Sequence, residues 1–308
     1  MSPLAVRSRL RKRPKRARNY GPLYAGPAGL WLTVFFVFPL LVIVLYSFLE
    51  KGLYGGVEWR FSLAAYKSLA NSMFLRVSLN TLGISFVTTV LAILIALPCG
   101  YYMARSKHKT LLLMLVIIPF WTNFLIRIYA WIAILGNNGF LNAFLMKVGL
   151  IDAPVLFLYN QMAVTIVLVY TYLPYAILPL YSTIEKFDFS LLEAARDLGC
   201  TRQGAIFRVL LPNIRSGIIT AVLFVFIPTF GAYAVPLLIG DRKSYMLGNF
   251  VAEELTRTRN WPLASAISMV ITVVTTLGLW LMFRYSGTGN TASDTKKPQR
   301  PAAAGGAS

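Results

Sequence analysis

Residues 193–212 read EAARDLGCTRQGAIFRVLLP, a polar, basic stretch between two long apolar runs at 161–184 and 216–240. Lipid leaves no partner for an unpaired backbone group, so a run of about 20 apolar residues reads as a spanning helix and the polar stretch as a loop at the membrane surface. Working outward, four more runs of this kind stand at 27–49, 79–103, 111–135 and 263–285. The expected fold class is all-α, a polytopic membrane protein with six transmembrane helices spanning 27–285 and the loop at 185–215 between the fourth and fifth. Prolines such as Pro98, Pro119, Pro174, Pro179 and Pro228 lie inside or near these runs, where membrane helices tolerate them as kinks.

Composition agrees with that reading. With 57% hydrophobic residues, 13% charged and a mean hydropathy of +0.63, the 308-residue chain is too apolar for a soluble domain of its size. A net charge of +19 raises the question of nucleic acid, but the positions of the basic residues point to topology. Arg7, Arg9, Arg11, Lys12, Arg13, Lys15, Arg16 and Arg18 all precede the first run, and the first acid is Glu50. The tail 1–26 is therefore expected on the cytoplasmic side, where anionic lipid accounts for its charge and no nucleic-acid partner is needed. A cleavable signal peptide has an apolar region of about 7–15 residues, which 27–49 exceeds, and no small-x-small site follows; the first run is expected to stay as a helix.

With the N-terminus inside, the turn Arg105–Lys109, the loop 185–215 and the chain after Arg284 are cytoplasmic too, and all carry basic residues. The segment 286–308 is too poor in apolar residues to fold and is expected to be a disordered cytoplasmic tail. The cysteines, Cys99 and Cys200, form no metal or disulfide pattern, and the single histidine, His108, leaves no material for a histidine-based metal or nucleophile site. No metal site and no catalytic residue are expected.

Within the loop, Ser190-Leu-Leu-Glu193 has capping-box spacing and predicts a helix start. Leu191, Leu192, Ala194, Ala195 and Leu198 would form its apolar side, and Gly199 would end it in the left-handed conformation. A second short helix is expected from Thr201 to Leu211, with Pro212 as breaker or as first residue of the next span. Such a hairpin fits the groove of a partner protein, and it also fits an amphipathic hairpin lying in the lipid interface; spacing alone leaves both open.

The Glu193-Ala194-Ala195 triplet, Gly199 four residues after the last Ala, and the Leu211-Pro212 pair resemble the EAA loop of bacterial ABC importer permeases. That pattern has Ile where Val209 stands, and its other fixed places match. Pro119-Phe-Trp-Thr-Asn-Phe-Leu-Ile-Arg-Ile-Tyr129, Leu180-Tyr-Ser-Thr-Ile-Glu-Lys186 and Leu191–Gly199 are further similar to spermidine/putrescine permeases of the PotB/PotH type, a likeness that covers all but the two tails.

The resemblance implies a MetI-like fold and one permease of a type I importer in the bacterial inner membrane, working with a second permease, an ABC ATPase dimer, a periplasmic solute-binding protein and surrounding lipid. Ser190, Glu193, Ala194, Ala195, Gly199, Leu211 and Pro212 would couple to the ATPase, which would bind ATP and Mg. This chain has no GxxxxGK[ST] loop and needs no cofactor of its own.

If the cargo is a polyamine, acids in the pathway would be the simplest ligands, yet none of the eleven acids lies deep in a span. Aromatic faces are the alternative, since each gives a cation about 0.5–2 kcal/mol. Trp121, Tyr129 and Trp131 of the third span and Tyr170, Tyr172 and Tyr175 of the fourth are candidates, together with the polar intramembrane positions Asn123 and Arg127. The same class of importer could carry another small organic solute, such as a phosphonate, an iron carrier or thiamine. A secondary carrier would need intramembrane acids for ion coupling and a membrane enzyme a nucleophile with its base, and neither set is present.

Overall fold

The computed structural model describes residues Gly21 to Ser286; the expected tail positions 1–20 and 287–308 lie outside the described residues. The first rod starts at Gly21, inside what the sequence reads as tail. α1 (Gly21–Leu32) passes through a π-helical turn, Thr33–Val37, into α2 (Phe38–Ser47). The wide turn falls where Pro39 removes an N–H from the ladder.

An antiparallel hairpin follows, β1 (Leu49–Lys51) and β2 (Val57–Phe61), turned through Gly55 and Gly56 at φ +92° and +80°. After α3 (Ala64–Leu69) comes α4 (Ser72–Arg105), 34 residues and about 51 Å long at the usual helical rise. The Asn71 side chain caps it by accepting from Met73 N–H. α5 (Lys109–Phe120), α6 (Phe124–Leu135) and α7 (Phe140–Lys147) lead to α8 (Gln161–Glu185), capped by Asn160. Next are the short α9 (Ser190–Asp197), α10 (Arg202–Ala205) and α11 (Leu211–Asn213), then α12 (Arg215–Phe230), α13 (Ala234–Ile239), α14 (Leu247–Thr256) and α15 (Trp261–Ser286).

The core is the packing of α4, α8 and α12 on one another. Burial on α4 follows a seam of small residues, Thr81, Ser85, Thr88, Ala92, Ala96 and Gly100. Lipid offers no hydrophobic drive between helices, so close approach across small side chains supplies the attraction. At Gly100 a methyl group would stand 3.3 Å from the Tyr181 backbone N, and at Gly217 of α12 it would meet Thr183 Cβ at 2.7 Å. The outside is apolar instead of polar: Trp31, Phe36 and Met162 are 64%, 69% and 73% exposed. α2 and α3 pack on α15, and α14 packs between α15 and α4.

Among the described residues five helices are long and apolar enough to cross a membrane, or six when the bent pair Arg202–Asn213 and Arg215–Phe230 counts as one span. Two of the expected spans are corrected. The run 111–135 is not one helix: α5 ends at Phe120, and the stretch long and apolar enough to cross is Phe124–Lys147, made of α6 and α7 in succession. Thr122 Oγ1 donates to the Pro119 carbonyl at 2.6 Å and Asn123 Oδ1 accepts from Leu125 N–H at 2.8 Å, which closes one helix and caps the next. The run 216–240 likewise breaks at Gly231–Tyr233 between α12 and α13.

Candidate functional site: a core-seated hairpin and an intramembrane aromatic cluster

The expected capping box at Ser190 and Glu193 does not form. The Asp188 carboxylate, two residues upstream, accepts the Ser190 N–H at 3.0 Å, so the helix starts one residue earlier than a Ser190 cap would allow. The Ser190 hydroxyl and amide hold the Asp188 carboxyl below the usual carboxylate range. At its other end the sequence reading holds: Gly199 has φ +86°, Gly199 N–H donates to the Arg196 carbonyl (2.9 Å), and Cys200 N–H to that of Ala195 (3.0 Å). These paired bonds make a Schellman turn.

The second arm begins with Thr201 Oγ1 accepting from Gly204 N–H at 3.1 Å. It continues through a π-helical stretch, Ile206–Leu210, and on through α11. Leu211-Pro212 therefore takes neither expected place: the arm runs on through Pro212 to Asn213, and the next span begins at Arg215. The wider turn, with Leu211 N–H on the Ile206 carbonyl, makes room for Pro212, and Asn213 Nδ2 donates to the Val209 carbonyl at 2.8 Å. The chain turns at Ile214, with a bend of 73° into α12.

One face of this hairpin is part of the core. Leu192, Ala205, Leu210 and Ile214 are buried with Met103, Leu180 and Ile184. Arg105 at the end of α4 lies over the rings of Phe189 (5.4 Å) and Tyr101 (5.8 Å) and donates to the Tyr101 hydroxyl at 2.9 Å. Lys109 pairs with Glu185 at 2.6 Å beside it. The other face is open. Ser190, Glu193, Ala194, Gly199 and Pro212 are exposed, while Ala195 and Leu211 are half-buried. Leu198, expected on the inner apolar side, is 90% exposed, and Phe207 is 67% exposed. Phe207 was missed by the sequence reading, although it is the single aromatic between Phe189 and Phe224.

Of the pathway candidates, some converge and some do not. Arg127 of α6 lies over Phe120 (5.6 Å) and Phe124 (5.9 Å), with its Nε buried and without a hydrogen-bond partner. Phe120 meets Tyr175 edge-on at 5.0 Å, Tyr175 sits 6.0 Å from Tyr172, and the Tyr172 hydroxyl donates to the Pro228 carbonyl at 3.3 Å. Trp131 and Tyr170 form a second edge-on pair at 5.3 Å. Trp121 and Tyr129 are 83% and 58% exposed and join neither group, and Asn123 is engaged as the α6 cap. Phe120 is the member the sequence did not single out. The break after α5 brings it in, and hydropathy does not register that break. Among the described residues no group of three or more His, Cys, Asp or Glu side chains could hold a metal ion.

Comparison with known proteins follows the same lines. Residues 89–286 match the family described as binding-protein-dependent transport system inner membrane component. The spermidine/putrescine transport system permease PotB of Haemophilus influenzae is 40% identical over 256 residues, covering 82% of this chain and 90% of that protein. PotB of Escherichia coli is 38% identical over 258 residues, 83% of this chain and 94% of that protein. In fold, the chain is similar to one from a bacterial alginate ABC transporter crystallised with its alginate pentasaccharide-bound periplasmic protein, with TM-score 0.67 and 17% identity over 87% of this chain and 94% of that one. A polytopic helical fold with a core-seated hairpin, and a family match over most of its length, make this chain a member of the binding-protein-dependent transport inner-membrane components, the permeases of ABC importers.

Proposed function

We propose that this permease imports polyamines of the spermidine and putrescine class, with its N- and C-termini in the cytoplasm. A separate ABC ATPase dimer binds ATP and Mg and docks on the hairpin 190–213. A second permease completes the pore, and a periplasmic solute-binding protein delivers the cargo. The observation that carries the coupling part is the hairpin's two-sided build. One face is fused to the α4/α8 core, and the other presents Leu198 and Phe207 to a partner. A rigid element of this kind can move α8 and α12 as the ATPase dimer closes.

For cargo, the extent of identity to the two PotB proteins supports the polyamine reading. The cluster of Phe120, Tyr172 and Tyr175 supplies aromatic faces for a desolvating cation, and Arg127 beside it is placed to act as a gate, since a fixed cation resists a second one. The decisive experiment is uptake of labelled spermidine and putrescine by the reconstituted complex. ATP-dependent uptake competed by unlabelled polyamines is expected. Uptake of neither amine, with transport of another organic solute, overturns the cargo assignment.

A further inference from the structure

α5 and α8 lie side by side and antiparallel, touching at both ends of one seam. At the intramembrane end Phe120 meets Tyr175; at the other, beside the hairpin, Lys109 Nζ donates to Glu185 Oε1 at 2.6 Å. Ten residues of α8 separate Tyr175 from Glu185, about 15 Å at the helical rise. Glu185 is the first acid that follows the aromatic cluster along α8. It is also the last residue of that helix, where unpaired carbonyls add partial negative charge. The buried Tyr181, one turn earlier on the same face, interacts through its hydroxyl with the same carboxylate. Each of these groups favours an ammonium ion.

The group seated there has the chemistry of the cargo. A lysine side chain is a four-carbon stem ending in a primary ammonium, the same as the aminobutyl arm of putrescine or spermidine. Lys109 and Glu185 are both exposed, so water screens their attraction and little holds Lys109 against another ammonium at high local concentration. Lys186, next along the chain, is a second cation beside the carboxylate. A third would be repelled, so cargo takes Glu185 only as Lys109 leaves it.

We propose that Glu185 and Tyr181 form the last ammonium site of the import pathway, that Lys109 fills it between cargoes, and that a departing polyamine exchanges with Lys109 on its way out. This rests on the polyamine reading of the preceding section. A plain strut between α5 and α8 behaves differently, and the difference is one of sign. For a strut, loss of either partner damages the same contact. For an exit site, loss of Lys109 frees Glu185 for cargo, whereas loss of Glu185 abolishes the site.

The test is uptake of labelled spermidine by the complete importer with its solute-binding protein, in vesicles preloaded on the hairpin side with ATP and graded putrescine. Putrescine at the exit competes with departing cargo, so the quantity read is the preload that halves the initial rate. Lys109→Met should lower that concentration ~3-fold, since the site is no longer masked for part of the time. Glu185→Gln should raise it ~5-fold, since the charged acceptor is gone. Lys109→Arg, which keeps a cation on Glu185, should show wild-type or weaker inhibition. Lys147→Met, the loss of another exposed cation, should change nothing. Shifts of the same sign in Lys109→Met and Glu185→Gln, or no shift in either, overturn the exit site alone. If Glu185→Gln does not assemble, Lys109→Met against Lys109→Arg decides: stronger inhibition in Lys109→Met supports the site, and equal values overturn it. A wild-type complex that takes up neither polyamine but transports another solute overturns the functional reading along with the site.

Discussion

Gly199 holds φ +86° at an exposed point where an added Cβ would meet nothing, so any penalty for replacing it is purely one of backbone conformation. For an L-residue that conformation costs about 1–2 kcal/mol, more when β-branched. Gly199→Val should leave the permease folded while lowering uptake per ATP hydrolysed, and Gly199→Asn should stay near wild type; equal coupling in Gly199→Val would show that the turn carries no motion. Asp188 has a depressed pKa, so its stabilisation of the turn is present above the ordinary carboxylate range and lost as pH falls through the lowered value. Hydrogen exchange at the Ser190 amide should therefore be insensitive to Asp188 ionisation from about pH 6 to 8, and faster throughout in Asp188→Ala. Gly199 was legible in the sequence because a Gly directly after a helical run has few other uses. The Ser190 cap was misread because D-x-S and S-x-x-E overlap here, and the carboxylate, a charged acceptor, took the amide first.

At the scale of elements, glycine spacing decides how closely α12 and α8 cross. Gly217→Val places side-chain atoms into Thr183 and should cost about 1–3 kcal/mol, seen as a lower Tm in detergent. Gly278→Ala on α15, where a Cβ meets nothing, should leave Tm unchanged or slightly raised. Equal Tm losses in the two would mean that the crossing is not set by close approach. The six apolar runs were legible because hydropathy sums over a whole crossing. That same summation hid the breaks at Trp121–Asn123 and Gly231–Tyr233, since a three-residue interruption of Trp, Thr and Asn or of Gly, Ala and Tyr barely lowers the average. Pro212 misled in the opposite sense: sequence rules make it a breaker or the first residue of the next span, but the π-helical turn before it absorbs the missing N–H and the arm continues through it.

At the scale of the whole molecule, the hairpin's exposed apolar pair should be where a partner gains most. Phe207→Ala and Leu198→Ala should each weaken capture of the ATPase by about 1–2 kcal/mol, read by co-purification, with insertion unaffected. Arg127→Gln removes a buried guanidinium nitrogen that lacks a partner and should alter uptake while leaving ATPase capture intact; loss of both would make Arg127 a structural residue. The sequence by itself determined the membrane class, the approximate crossings and the place of the hairpin, because burial in lipid and helix-ending glycine act locally and leave local patterns. Only the tertiary structure decided which hairpin face is open, which aromatics converge on Arg127, where spans break, and that Lys109 and Glu185 meet at one end of the α5/α8 seam. Those depend on contacts between residues far apart in the chain, such as Phe120 with Tyr175, and no periodicity within either segment encodes them.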